Sequence, residues 1–326
     1  MDLVVKLPWR SLFLLSAASF LFACFSLGFC SGACHADEIH RPKVAVVLSG
    51  GGMKAAAAIG VLKALEEEEI PVDMILGSSM GAVVGGLYAA GMTPEHIQEQ
   101  FEKKKLMHAY LTIPLSLRIL VIPLFYTPRL VGIEPYDGLY RGKRFADYLN
   151  KQIPETQRSI EDLKVPFGAV AVNLLDGKVK VFTSGNLSTA LQASCAIPAL
   201  RKPVKIKGDD GLYVDGSVLN NLPVKEARKM GADIVIAVDT TDRSETKDSD
   251  YHKVGSVTAR VINLHMAQVD RESRNSADFV IDPAVQSVPA VSTSPAQARK
   301  LIEAGAKAAH QIAPAIKDCL EKHTVK

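Results

Sequence analysis

The sequence predicts an α/β fold, a three-layer sandwich built around a mostly parallel central sheet. Two observations carry this expectation. Short apolar runs at Val44–Leu48, Met74–Leu76, Phe167–Val172 and Ile234–Val238 lack the polar alternation of half-exposed strands, so each reads as a strand covered on both faces. Longer stretches with helical spacing separate these runs, and alternating strands and helices build parallel sheets. No repeat of 20–50 residues and no low-complexity tract interrupts the pattern, so one domain is expected over about residues 41–321.

The N-terminus is read apart from that domain. Lys6 and Arg10 precede a stretch from Ser11 to Cys34 that contains no Asp, Glu, Lys or Arg, the arrangement of a secretory leader. Small residues at Cys34 and Ala36 suit cleavage after Ala36, which makes residues 1–36 a signal peptide and the protein exported, periplasmic or secreted. An uncleaved anchor is the alternative, because the uncharged stretch is long enough to span a bilayer. A lipoprotein box at Leu21-Phe22-Ala23-Cys24 is a third. This segment accounts for part of the positive mean hydropathy of +0.12. It also contains three of the five cysteines, leaving Cys195 and Cys319, which are too few for a disulfide framework. With 38 basic against 35 acidic residues, a net charge of +3 and 48% apolar residues, the chain is globular, and nucleic acid is not an expected partner.

Val44–Leu48 runs directly into Ser49-Gly50-Gly51-Gly52-Met53-Lys54. Successive glycines reach φ > 0 and can turn backbone N–H groups toward an anion, so Gly50, Gly51 and Gly52 read as a phosphate cradle or an oxyanion hole. Gly50-x-Gly52-x-x-Ala55 is close to a dinucleotide fingerprint, and Asp73 lies near the acidic position of that motif. Asp73, however, precedes its strand instead of ending it, which argues against a nucleotide. Lys54 is a candidate for attracting a phosphate headgroup, or a solvated lysine of a first helical turn. Ala58, Val61, Leu62 and Leu65 then form one helical face, closing at the solvated run Glu66–Glu69.

Met74–Leu76 leads into Gly77-Ser78-Ser79-Met80-Gly81, with a helix expected over 82–90. A G-x-S-x-G between strand and helix is the context of a nucleophile elbow, which makes Ser79 the candidate nucleophile. The helix that follows directs its positive end at developing negative charge. From 106 to 135 the chain is rich in Leu, Ile and Pro, and reads as packed insertion helices or as a lipid-facing lid. Further on, Leu212-Tyr213-Val214 approaches Asp215-Gly216-Ser217, an acid at a strand end that suits a site or a turn. Helices are expected over 223–230, 254–274 and 295–321. No H-x-x-x-H or C-x-x-C pair follows the leader, and no EF-hand calcium loop appears, so neither metal nor other cofactor is expected.

Taken together, LSGGGMK, GSSMG, SCAIPAL, VDGSVLNNLPV, GADIVIAVD and LIEAGAKAA, in this order, resemble the patatin-like phospholipase family over nearly the whole chain after the leader. The resemblance implies a Ser–Asp dyad, with Ser79 as nucleophile and Asp215 as base, and an oxyanion hole principally from Gly51 and Gly52. Ala55 stands where the family's glycine motif often ends in Gly. The implied activity is hydrolysis of lipid carboxylic esters, of phospholipase A or lysophospholipase type, at a membrane surface and without an obligate protein partner. A catalytically silent lipid-binding protein of the same fold is the alternative. So is a Ser-His-Asp triad drawing on His252, His265 or His310. Cys195, beside the implied dyad, reads as small-volume packing.

Overall fold

The computed structural model describes residues 41–111, 138–252, 255–286 and 288–324. The leader expected at 1–36 and residues 112–135 of the apolar segment lie outside this set. Each strand-like run forms a strand. β1 (Val44–Leu48) is buried along its length and pairs in parallel with β2 (Met74–Ser78) on one side and β7 (Ile234–Val238) on the other. Val44, Val46 and Leu48 enter the larger core, while Ala45 and Val47 enter a smaller one across the sheet. A period of two with apolar residues on both faces is what a doubly covered strand requires.

The larger core is closed by α1 (Ala56–Glu67), α2 (Ser79–Ala89), α3 (Pro94–Glu102) and α10 (Pro295–Thr324), with α4 (Lys105–Tyr110), α5 (Lys143–Gln152) and α6 (Leu187–Ser194) extending it. The smaller core lies under α7 (Val224–Lys229), whose Val224 and Ala227 meet Val235 and Ala237. A helix expected over 254–274 is two helices, α8 (Ser256–Val269) and α9 (Arg271–Ser276), meeting at the buried Asp270. The described start of the apolar segment, Leu106, Met107 and Tyr110, packs into the core. Among the described residues no helix is long and apolar enough to cross a membrane.

The GAKAA motif near the C-terminus has a packing cause. A Cβ built on Gly60 of α1 would overlap the carbonyl of Ile302, and one on Gly305 of α10 would overlap that of Ala57. The two helices therefore touch backbone to backbone, at a spacing that only glycine permits at these two points. Gly305→Ala is expected to lower stability by about 1–3 kcal/mol, the usual cost of forcing volume into a packed contact. Urea denaturation measures it, and an unchanged midpoint would show that the helices can separate without loss.

One junction in the sheet sets up the site. The hydrogen-bonded path is β5-β6-β3-β2-β1-β7-β8, with β4 (Lys178–Phe182) added to β3 (Phe167–Asn173). β5 is Val204–Lys205, β6 is Leu212–Asp215 and β8 is Phe279–Ile281. Val170 of β3 lies between Ser78 of β2 and Val181 of β4, and the next residue, Ala171, lies between Asp215 of β6 and Lys180 of β4. Since β4 occupies one edge of β3, β2 and β6 share the other. β2 runs parallel to β3 and β6 runs against it, so the two strands meet end to end. Their last residues, Ser78 and Asp215, thus face neighbouring positions of one strand.

Candidate active site

Ser79 follows the end of β2 and is the first residue of α2. Its φ is +52°, a left-handed conformation that costs an L-residue roughly 1–2 kcal/mol and is retained where the surroundings enforce it. The chain must turn this sharply because a Cβ on Gly81 would overlap the carbonyls of Leu48 and Ser49: α2 sits directly on the end of β1. The Ser79 N–H donates to Ser194 Oγ at 2.9 Å, which fixes the turn from the side of α6.

Ser79 is only 4% exposed and Asp215 is fully buried. The Ser79 hydroxyl donates to Asp215 Oδ2 at 2.7 Å. The other carboxylate oxygen accepts from the Ser217 N–H at 2.9 Å and from the Ser217 hydroxyl at 2.7 Å. Burial pushes the Asp215 carboxyl up to about 6, against the hydrogen bonds from Ser79 and Ser217 and the nearby positive charge of Arg201, all of which hold it down. The carboxyl is therefore mostly ionised at neutral pH, yet basic enough to accept a proton from a hydroxyl during reaction.

The glycine loop departs from expectation at two positions. Gly50 is not a free donor, because its N–H is bonded to Asn221 Oδ1 at 2.8 Å, while its carbonyl accepts from the Thr240 hydroxyl at 2.8 Å. Gly50 supplies closeness instead: a Cβ there would lie 2.8 Å from the Cβ of Ser79. Gly51 and Gly52 have φ of 146° and 59°, and among the described residues neither N–H is paired with an acceptor. Two donors in the loop that Gly50 brings against Ser79 are thus left for a ligand. Lys54 is the second departure. It is 5% exposed, and its Nζ is bound to Asp242 Oδ2 at 3.2 Å, so its charge is taken up internally and does not attract a headgroup.

Three residues to which the motif readings gave no role hold the loop and Ser79 in place. Asn221 bonds Gly50 through its carbonyl oxygen because its amide nitrogen donates to the buried Asp270 at 2.7 Å. Thr240 bonds both Gly50 and Ser49. Ser194 holds Ser79. Asn221 lies within the quoted VLNNLP run, but nothing local there points to a partner 171 positions earlier.

The histidines are engaged elsewhere. His252 lies near Asp248, His310 bonds Glu68 with Glu67 close by, and His265 contacts the Val218 carbonyl; the hydrogen bonds found for Ser79 and Asp215 go to other residues. Asp73 is bonded by Arg41 and by the Val44 N–H at the start of β1, the end of the strand away from the glycine loop, which removes the dinucleotide reading. Cys195 is a free, fully buried thiol whose pKa is pushed well up by burial, in keeping with packing, and Cys319 is likewise free. Among the described residues no three His, Cys, Asp or Glu side chains converge on a metal position.

The family profile described as patatin-like phospholipase matches residues 46–228. Patatin-like phospholipase domain-containing protein 7 of Mus musculus is 32% identical over 64% of this chain, and the corresponding protein 6 of Homo sapiens is 32% identical over the same share. An NTE family protein of Mycobacterium bovis is 35% identical over 60% of this chain. The chain spans 14% of the length of the two mammalian relatives and 49% of the mycobacterial one. The crystal structure of VipD from Legionella pneumophila aligns at a TM-score of 0.47 and 17% identity, over 85% of this chain and 67% of that one.

Proposed function

The chain belongs to the patatin-like phospholipase family, and from that premise we propose that it is a serine acyl hydrolase cleaving carboxylic esters of lipids, of phospholipase A or lysophospholipase type. The observation that carries the reading is the 2.7 Å bond from Ser79 Oγ to a buried carboxylate, made by a serine held in a left-handed turn at a helix start.

The reaction follows from these groups. Ser79 Oγ attacks the ester carbonyl carbon while its proton passes to Asp215 Oδ2. The carbonyl oxygen becomes an oxyanion facing the N–H groups of Gly51 and Gly52 and the positive end of α2. As the tetrahedral intermediate collapses, the ester C–O bond breaks and Asp215 returns the proton to the departing alcohol. Water then attacks the acyl-Ser79, with Asp215 taking its proton, and release of the fatty acid restores the hydroxyl. No histidine is required.

The lipid class rests on the family and on an exposed apolar face of α8, formed by Val257, Val261, Ile262 and Leu264, with Leu219 exposed nearby. His265 of this helix contacts Val218, three residues beyond Asp215, so the face adjoins the proposed site and suits a membrane surface. Export by residues 1–36 belongs to the same proposal.

A fluorophosphonate probe is expected to label the protein once, on the peptide containing Ser79. The labelling rate should rise with pH, half-complete at about 6, where Asp215 ionises, and level off above 7. Label mapped to another residue, or a rate indifferent to pH between 5 and 7, would remove the dyad.

A further inference from the structure

A second cluster of charge lies close to the dyad and makes no contact with the reacting groups described above. A cavity of about 210 Å³ is lined by Tyr110, Arg141, Lys143, Arg144, Phe145 and Arg201, among others. Arg201 is 2% exposed. Its guanidinium is held by the Tyr110 carbonyl at 3.0 Å and sits over the rings of Tyr110 and Phe145, at 4.6 and 5.1 Å from their centroids. Among the described residues its Nη2 has no hydrogen-bond partner. A buried cation with an unused donor is costly unless something completes it, and aromatic faces offset only part of that cost.

The unused donor lies at a helix start. A Cβ on Gly142, the residue preceding α5, would lie 2.6 Å from Arg201 Nη2. α5 has ten residues, no side-chain cap and no acidic residue in its first turn. Instead Lys143 and Arg144 open it, preceded by Arg141, and none of the three has an ion-pair partner among the described residues. Cations at the positive end of a helix are unfavourable in isolation. The same arrangement becomes favourable once an anion sits among the open N–H groups and the basic side chains.

We propose that this cavity binds a phosphoryl anion, bonded by Arg201 Nη2 and the N-terminus of α5 and neutralised by Arg141, Lys143 and Arg144. The cavity adjoins the dyad: the Tyr110 hydroxyl donates to the carbonyl of Cys195 at 3.2 Å, and the Arg201 charge acts on Asp215. The anion is the phosphodiester of a bound phospholipid or free inorganic phosphate. The first source rests on the reading of Ser79 as a lipid ester nucleophile; the site itself does not.

The test compares the full-length protein with Lys143→Glu/Arg144→Glu, whose changes are on exposed side chains, and with Arg201→Gln. Inorganic phosphate binding is followed by calorimetry. Hydrolysis is measured on palmitoyl-lysophosphatidylglycerol and on monopalmitoylglycerol, which has the same acyl chain and no phosphate. Both variants should lose phosphate binding and show a KM for the lysophospholipid raised about tenfold, the scale of lost charge-assisted hydrogen bonds. In Lys143→Glu/Arg144→Glu the kcat on that substrate and both constants on monopalmitoylglycerol should stay within about twofold; Arg201→Gln, whose charge also acts on Asp215, is read by its phosphate binding and its KM ratio between the two esters. Lost phosphate binding with unchanged lysophospholipid kinetics supports the site and assigns it to free phosphate. No phosphate binding by the unaltered protein, together with an unchanged KM ratio between the two esters, overturns the proposal. If neither ester is cleaved, the reading of Ser79 fails, and the phosphate titration alone decides the site. Should Arg201→Gln fail to fold, the exposed double variant decides.

Discussion

Ser79→Ala is expected to lower kcat/KM on ester substrates by about six orders of magnitude, the scale seen when a serine hydrolase loses its nucleophile. The fold should survive, since alanine enters the same turn at a similar backbone cost and the Ser79 N–H can still donate to Ser194. One further change should accompany the loss. The Ser79 hydroxyl is among the groups that hold the Asp215 carboxyl down, so removing it should move that carboxyl further above 6. Activity within tenfold of the unaltered protein, with a normal thermal melt, would exclude Ser79 as nucleophile.

Asp215→Asn should have two effects of opposite sign. Asparagine keeps an acceptor for Ser217 but cannot take the proton of Ser79, so kcat/KM should fall about 10³-fold or more. Stability should rise, because the native protein holds an ionised carboxylate in a fully buried position. The folded carboxyl has its pKa raised from 3.8 to about 6, so folding favours the protonated form. The native protein therefore loses stability as pH rises from about 4 to about 6, by about 3 kcal/mol in total above that range, and the asparagine variant does not. Urea unfolding at pH 4 should show little difference between the two, and at pH 8 the variant should be the more stable. A variant less stable at both pH values would mean that the charge is better accommodated than its burial indicates. Full activity in Asp215→Asn, with loss in His252→Gln, His265→Gln or His310→Gln, would replace the dyad with a triad.

Much of this was legible in the sequence wherever a local pattern carries the information. Val44–Leu48 and Ile234–Val238 read as covered strands because being covered on both faces leaves no polar positions, and both are central in the sheet. Ser79 was marked by glycines that a sharp strand-to-helix turn requires. Asp215 was legible as a strand-end acid, although its pairing with Ser79 came only from the family resemblance. What failed to show was partnership between distant segments. Nothing around Lys54 indicates Asp242, 188 positions away, so a buried ion pair read as an available charge. The Gly50 N–H looked free because its acceptor, Asn221, belongs to another motif. The break at Asp270 was hidden as well: helical spacing continues through it, and only the tertiary bond from Asn221 gives a reason for a carboxylate to be buried there. Arg201 directly follows the SCAIPAL run, and no local pattern marks an arginine there as buried.

The placement of β1 has a consequence for how the molecule is made. Of its two neighbours β2 follows directly in sequence, but β7 comes much later: the Lys43 N–H at its start is bonded to Asp233, 190 residues later, and α1, which follows it, rests on a helix whose His310 reaches Glu68 across 242 residues. During synthesis β1 and α1 must wait for β7 and α10, some 190 and 242 residues later, before these faces are covered. Such long loop closures slow folding and leave apolar surface open in the meantime. The folding yield is therefore expected to depend more on how quickly α10 reaches α1 than on any property of the dyad.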